Sequence, residues 1–143
     1  MVPMAKPTTK DAELIFDLLE LVGTERSQEA RAWVLREFSA ADYDGFIEKY
    51  PQGSKEFQHV TTVLGFFEVA GVLVSHGLVN EDLFFDLGFG IGLFWPKLAP
   101  IIPGWRKATS AAFWENAVWL EERSQVWSKT VWKPGLKWKL QSR

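Results

Sequence analysis

The feature that most constrains the fold is an almost uninterrupted apolar stretch between Ser54 and His76, in the middle of the chain. Its apolar residues recur at alternating three- and four-residue steps, which places them on one side of an α-helix. That side consists of Phe57, Val60, Leu64, Phe67, Gly71 and Val74, and a second apolar stripe consists of Val63, Phe66, Ala70 and Leu73. A helix that is apolar on most of its circumference is a buried one, so the sequence predicts a compact all-α bundle of about six helices around this central helix.

The composition is typical of one globular domain. Of the 143 residues, 47% are hydrophobic and 24% are charged, which allows one domain with a sizeable core. The chain contains no cysteine, which excludes disulfides, thiolate nucleophiles and cysteine-ligated metal sites. Because residues 1–7 lack the apolar run of a secretory signal, we expect a cytoplasmic protein.

Three segments are predicted along the chain. Residues 1–9 contain prolines and threonines and are expected to form a flexible leader. Residues 10–127 are expected to form the helical domain. Residues 128–143 are expected to form a basic, tryptophan-rich arm, which is either extended or folded into a hairpin at Pro134-Gly135.

Capping residues and helix breakers predict where the helices begin and end. The first predicted helix runs from Lys10 to Val22, with Asp11 exposed, and the second is capped by Ser27 and ends at Phe38. A third helix begins with a capping box at Ser39 to Asp42 and is ended by Pro51. The central helix follows, and after it comes a short helix from Asn80 through Leu87. A last long helix is predicted from Trp105 or Arg106 to about Trp127, with a packing seam at Trp105, Ala112, Trp119 and Val126.

Several of these positions together resemble the pattern of a known family. They are Phe66-Phe67-Glu68, Gly71, Gly77-Leu78, Asp82-Leu83, Trp95, Leu98, Pro100, Ile101 and Arg106. In combination they resemble a family of bacterial helical proteins known only as a domain of unknown function, over roughly residues 10–107. The resemblance implies a small all-helical domain, sometimes found beside membrane segments, with no established activity.

Three patterns that often carry chemistry are weak in this chain. Glu56 and His59 share a helix face, but di-iron bundles need two such motifs and two further carboxylates. The Gly88 to Gly92 segment is similar to a phosphate loop, but its register fails, and packing or turn geometry explains it more simply. Ser75 and His76 are adjacent in a helix and do not face each other. We therefore predict no catalytic residue, no metal site and no cofactor.

Glu68 is the acid of most interest in the central helix. It lies in the narrow polar strip, where burial without a partner would be costly. Arg106 is the basic residue that the family pattern offers as its partner. An ion pair between Glu68 and Arg106 or plain exposure of Glu68 is the structural interpretation, and a functional site is the alternative.

The strongest functional signal is the C-terminal segment. From Val126 onward the chain has five basic residues and no acidic one, whereas the rest carries a net charge of −7. The candidate partner-binding residues are Trp127, Lys129, Trp132, Lys133, Lys137, Trp138 and Lys139. Cations interleaved with indoles fit docking onto the acidic body of the chain or of a second subunit, and they also fit an anionic membrane surface or nucleic acid.

The sequence thus favours a non-catalytic, cytoplasmic interaction or regulatory module. Its expected partner is another protein or a second copy in a homodimer, bound through tryptophan-rich surfaces. Peripheral binding to an anionic membrane or to nucleic acid through the tail is one alternative. The other is a small-ligand binder or enzyme with an aromatic pocket lined by residues such as Trp95, Trp105 and Phe89.

Overall fold

The computed structural model describes residues 6–130, and residues 1–5 and 131–143 lie outside the described part of the chain. All regular secondary structure within residues 6–130 is helical, as predicted. The elements are α1 Thr9–Val22, α2 Glu25–Arg36, α3 Tyr43–Lys49, α4 Lys55–Ser75, α5 Glu81–Leu87, α6 Ile91–Leu98, a 3-10 turn Ala99–Ile101, α7 Ile102–Ala108 and α8 Glu115–Thr130. Residues 128–130 of the predicted extended or hairpin arm belong to α8, and its remainder, residues 131–143, lies outside the described residues and is called the arm from here on.

Helix α4 is the buried centre of the domain, as the apolar pattern predicts. Its N-cap is Ser54, whose hydroxyl accepts a hydrogen bond from the Phe57 backbone N–H at 3.1 Å. Gly77 follows its end with a left-handed φ of 72°. Four of its inner positions are completely buried, namely Val60, Leu64, Phe67 and Ala70. Its most extensive contacts are with α2 and α8, so these two helices enclose the central one.

By length and composition alone, α4 could cross a membrane, although half of its most apolar window is buried within the domain. The helices from α5 through α7 meet the same criterion only if the segments Glu81–Leu87 and Ile91–Ala108, which are bent by 81° relative to each other, count as one span. Burial of this kind is common to core helices of globular domains. The cytoplasmic location expected from the sequence stays a prediction.

Helix α1 begins one residue earlier than predicted, and its first acid is buried. Thr8 and Asp11 form a capping box, so the helix starts within the segment predicted as a leader, of which residues 1–5 lie outside the described residues. The Asp11 carboxylate accepts hydrogen bonds from the backbone N–H groups of Thr8 at 2.6 Å and Asn80 at 2.8 Å. The bond from the Thr8 amide is the main reason why the pKa of Asp11 is lowered. The expected exposure of Asp11 is therefore wrong, because this side chain joins the starts of α1 and α5.

Helices α2 and α3 are capped by other residues than the sequence predicts. Thr24 caps α2, because its hydroxyl accepts from the Ser27 backbone N–H at 3.2 Å, and the helix ends at Arg36, two residues early. Asp42 itself caps α3 by accepting from the Gly45 backbone N–H at 2.8 Å. Both caps have extended backbone and an oxygen on a short side chain, which is what an N-cap requires.

The predicted long C-terminal helix is wrong, because α7 and α8 are separate helices joined by residues 109–114. Trp114, just before α8, has a left-handed φ of 58° and ends any continuous helical path. The predicted seam fails with it, since Ala112 and Val126 are exposed. The residues that α8 buries are instead Ala117, Leu120, Glu121 and Trp127.

An aromatic cluster around Trp105 explains the break. Five rings lie with their centroids between 5.3 and 5.7 Å from the Trp105 ring, namely Tyr43, Phe46, Phe57, Phe113 and Trp114. Two of these rings, Phe113 and Trp114, come from the segment that joins α7 to α8. Because aromatic pairs at these distances add to ordinary apolar burial, this contact holds the joining segment out of helical conformation.

Candidate interaction site at the C-terminal end of α8

The N-terminus of α8 is anchored by a carboxylate from α4. Glu68 Oε2 accepts a hydrogen bond from the Ala117 backbone N–H at 2.8 Å, and Oε1 accepts from the Asn116 side-chain amide at 2.9 Å and from its backbone N–H at 3.4 Å. The first backbone N–H groups of a helix have no partner within it, and its positive dipole end attracts a negative charge. Glu68 therefore caps α8 from a neighbouring helix.

The structure does not pair Glu68 with Arg106, which was one of the interpretations open from the sequence. Arg106 Nε donates to the Phe113 carbonyl at 2.8 Å, whereas both carboxylate oxygens of Glu68 accept from Asn116 and Ala117. The break between α7 and α8 creates both partners, because it leaves a loop carbonyl and a free helix N-terminus close to these side chains. The two residues thus secure the same junction through separate contacts.

A glycine in α4 allows α8 to approach closely at this junction. A Cβ atom on Gly71 would lie 2.7 Å from the Asn116 carbonyl carbon, which is shorter than real Cβ contacts allow. Gly65, two turns earlier in the same helix, has no such neighbour within 4 Å. Gly71 is therefore the position where the spacing of α4 and α8 is set.

The C-terminal half of α8 is anchored on the first turn of α5. Arg123 forms a two-point ion pair with Glu81, in which Nη2 and Oε2 are 3.0 Å apart, and Nε contacts Oε1. One turn later, Trp127 Nε1 donates to Asp82 Oδ1 at 3.0 Å, and the Trp127 ring lies 5.9 Å from that of Phe85. Arg123 and Trp127 are four residues apart and share a helix face. Helix α8 is therefore fixed at both ends.

The predicted partner-binding residues fall into two groups. Trp127 is only 9% exposed and belongs to the domain interior, whereas Lys129 is exposed on the last turn of α8. The other five, Trp132, Lys133, Lys137, Trp138 and Lys139, lie outside the described residues. Their role in binding stays a prediction.

An open cleft of about 290 Å³, here called the α8 cleft, lies beside the end of α8. Its lining residues are Phe85, Gly88, Gly90, Ile91, Gly92, Leu93, Ser124, Trp127 and Ser128. Leu93 is 69% exposed and neighbouring Leu87 is 51% exposed, so apolar surface continues from the cleft to the outside. An exposed apolar surface next to a concave site is typical of a place where another chain segment binds.

The glycine-rich segment beside the cleft is a turn. Gly88, Phe89 and Gly90 have successive positive φ values of 78°, 50° and 78°. The Phe89 ring stacks on Phe84 with centroids 5.0 Å apart, and the Phe89 carbonyl accepts from Arg31 Nη2 at 3.0 Å. Burial lowers the pKa of Arg31, although an arginine keeps its charge. The segment's backbone is thus occupied by structural contacts, in line with the packing interpretation.

The other candidate sites are spread through the fold. His59 is buried with its ring 5.5 Å from Trp33, and residues 6–130 contain no group of three or more His, Asp or Glu side chains placed to hold a metal ion. Trp105 lies in the aromatic cluster, and Phe89 packs on Phe84. Trp105 and Phe89 therefore belong to different groups of rings, so these two residues do not come together in the aromatic pocket predicted from Trp95, Trp105 and Phe89.

The contacts that fix α8 were not found from the sequence. Acids at the start of a helix such as α5 are sufficiently explained by the helix dipole, and no local pattern links them to side chains more than 40 residues later. A tryptophan at the end of an amphipathic helix gives no signal about the acceptor of its N–H group. Only the three-dimensional packing of α8 on α5 reveals that Asp82 receives it.

The fold and the site define a small all-helical domain with a C-terminal helix anchored at both ends. Residues 7–124 match the family described as Domain of unknown function (DUF4760), and the chain belongs to this family. The resemblance seen in the sequence is confirmed, and the match extends beyond residue 107 into α8. Trp127, Lys129 and the arm lie beyond the matched residues. No curated protein and no solved structure matches the chain.

Proposed function

We propose that the chain is a non-catalytic interaction module in which the C-terminal arm, residues 131–143, recognises the acidic helical domain, either its own or that of a second copy. The observation that supports this most strongly is the anchoring of α8 at both ends. Contacts from Glu68, Arg123 and Trp127 fix the helix up to its last turn. The last described turn of α8, which precedes the arm in the sequence, therefore has a defined place on the domain.

The distribution of charge favours an acidic protein surface as the target. Residues 131–143 contain four basic residues and no acid, whereas residues 6–130 contain twelve basic and eighteen acidic residues, a net charge of −6. Opposite potentials accelerate association and select orientation. The arm also carries two tryptophans, and Trp is among the residues that contribute most energy at protein interfaces.

The position of His59 supports binding rather than catalysis. Histidine is the side chain most often used as a general acid or base near neutral pH. The His59 ring is buried against Trp33, which gives it a structural place in the fold. His76 is exposed and ends α4 through its backbone N–H.

Zero-length carbodiimide cross-linking of the full chain tests the proposal, because it joins a lysine amine to a carboxylate in direct contact. We expect Lys133, Lys137 or Lys139 to be linked to carboxylates in residues 6–130. Lys55 and Glu29, whose charged atoms are 2.8 Å apart, provide an internal control. A matched chain with Trp132 and Trp138 replaced by Ala should lose the arm links and keep the control link.

Two results would overturn the proposal. One is the absence of arm-to-domain links in a sample that forms the Lys55–Glu29 link. The other is that the arm instead drives the full chain onto phosphatidylglycerol vesicles in a flotation assay, or onto a single-stranded oligonucleotide in an anisotropy assay. Binding to the vesicles would favour the membrane alternative, and binding to the oligonucleotide would favour the nucleic acid alternative.

A further inference from the structure

The α8 cleft lies where the arm begins, and we propose that it is the seat of the arm of the same chain, residues 131–143. This inference rests on the proposed function, because it names the part of the domain that the arm recognises. Ser124, Trp127 and Ser128 form one side of the cleft, and the described part of α8 ends two residues later at Thr130. The described part of α8 therefore ends beside the cleft.

The length of the arm is sufficient to fill the cleft from this starting point. Thirteen extended residues reach about 40 Å, which far exceeds the distance needed from the adjoining turn of the helix. Pro134-Gly135 is a dipeptide typical of chain reversal. A short connection within one chain also gives an effective concentration on the order of millimolar, which favours the chain's own arm over that of a second copy.

The chemistry of the cleft matches that of the arm. Phe85, Ile91 and Leu93 supply apolar surface, and the cleft volume of about 290 Å³ suits a single large side chain. The arm offers two indoles, Trp132 and Trp138, for this position. Burying an indole removes about 150–250 Å² from water, which makes either tryptophan a strong anchor.

The charge beside the cleft is complementary to the arm. Helix α5, which supplies Phe85 to the cleft, carries three acids and no basic residue, and one of these acids, Glu81, already pairs with Arg123. The lysines of the arm flank its two tryptophans in sequence. An indole in the cleft would therefore bring lysines next to the acidic helix, where surface ion pairs add orientation more than affinity.

A substitution that fills the cleft with a side chain provides the test, and the full chain is used again. Gly92 lines the cleft, and a Cβ atom there meets no other atom within 4 Å, so Gly92→Leu puts a side chain into open space. Gly65→Leu is the matched control, since Gly65 also has no neighbour within 4 Å but lies in a different groove, beside Leu21 and Val69. Circular dichroism of both variants checks that the helical domain is retained.

We expect Gly92→Leu to reduce the yield of arm-to-domain cross-links, and the hydrogen-exchange protection of residues 131–143, by about tenfold, which corresponds to about 1.4 kcal/mol. Gly65→Leu should leave both unchanged. If Gly92→Leu and Gly65→Leu have the same effect while the wild-type chain forms arm links, the cleft is not the seat, and the proposed function still stands. If the wild-type chain forms no arm links, the proposed function itself fails.

Mixing chains of normal and heavy isotope content identifies the source of the arm. Docking within one chain gives cross-links between peptides of equal isotope content only. Links between normal and heavy chains in statistical proportion would overturn the assignment to the chain's own arm and indicate exchange between two copies.

Discussion

The carboxylate of Glu68 in α4 accepts a hydrogen bond from the Ala117 backbone N–H of α8 at 2.8 Å, across 49 residues of sequence. Most helix caps come from the residue just before the helix. Here the cap is a tertiary contact, so the start of α8 depends on the position of α4. The central helix therefore does more than fill the core, because it also determines where its neighbour begins.

We predict that Glu68→Ala destabilises the domain by about 1–3 kcal/mol, since it removes a charged acceptor from a helix N-terminus. Urea unfolding followed by circular dichroism measures the change. Glu122→Ala, which removes an exposed acid of α8, is the control and should have little effect. Equal unfolding free energies for the two variants would show that the cap contributes nothing to stability.

The two glycines of α4 should respond in opposite directions to the same change. Gly71→Ala inserts a methyl group against the Asn116 backbone and should cost about 1–3 kcal/mol. Gly65→Ala meets no neighbour and should stabilise the helix by about 0.5–1 kcal/mol, because glycine loses more backbone entropy on folding. Thermal unfolding of both variants gives the comparison. A stabilising Gly71→Ala would contradict the close approach of α4 and α8.

The stability provided by Asp11 should depend on pH. Its hydrogen bonds lower its pKa in the folded state, so its stabilising contribution is present above the unfolded pKa of about 3.9 and is lost as the pH falls through the lower folded value. Asp11→Ala should therefore destabilise the domain near neutral pH and have less effect in acid. Denaturant titrations at several pH values measure this, with the exposed Asp17→Ala as the control. An effect of Asp11→Ala that is independent of pH would rule out the carboxylate as its cause.

Glu121 should show the opposite pH dependence. Its side chain is 9% exposed and its Oε2 atom is buried without a hydrogen-bond partner, and burial raises its pKa. Below its unfolded pKa of about 4.3 such a carboxyl group is neutral in both states and costs no stability. As the pH rises from there to the higher folded pKa, the free energy of unfolding falls, because the unfolded chain ionises more easily than the folded one.

Glu121→Gln should accordingly raise the free energy of unfolding near neutral pH and leave it almost unchanged in acid. The amide avoids burial of a charge, and its oxygen still accepts from Gln125 Nε2, which donates to Glu121 at 2.8 Å. Denaturant unfolding at pH 4 and pH 7 compares the two chains. A loss of stability at neutral pH would show that the charged form is favoured in the fold.

The central helix was predictable because its signals are local. The cap at Ser54, the apolar spacing and the glycine after its end all lie within one short stretch of sequence. The break between α7 and α8 was not predictable, because it depends on Glu68 and on the rings around Trp105, which come from distant segments. The same reason explains Trp127, whose acceptor Asp82 lies 45 residues away.

The cap that Glu68 supplies also decides how α8 forms. Detached from α4, a peptide covering residues 102–130 lacks both the carboxylate that starts the helix at residue 115 and the rings of Tyr43, Phe46 and Phe57 that pack on Trp105. Its local preferences then favour one continuous helix, as the sequence alone predicts. The kink between α7 and α8 is therefore a product of assembly, and it arises only when the rest of the domain has come together around it.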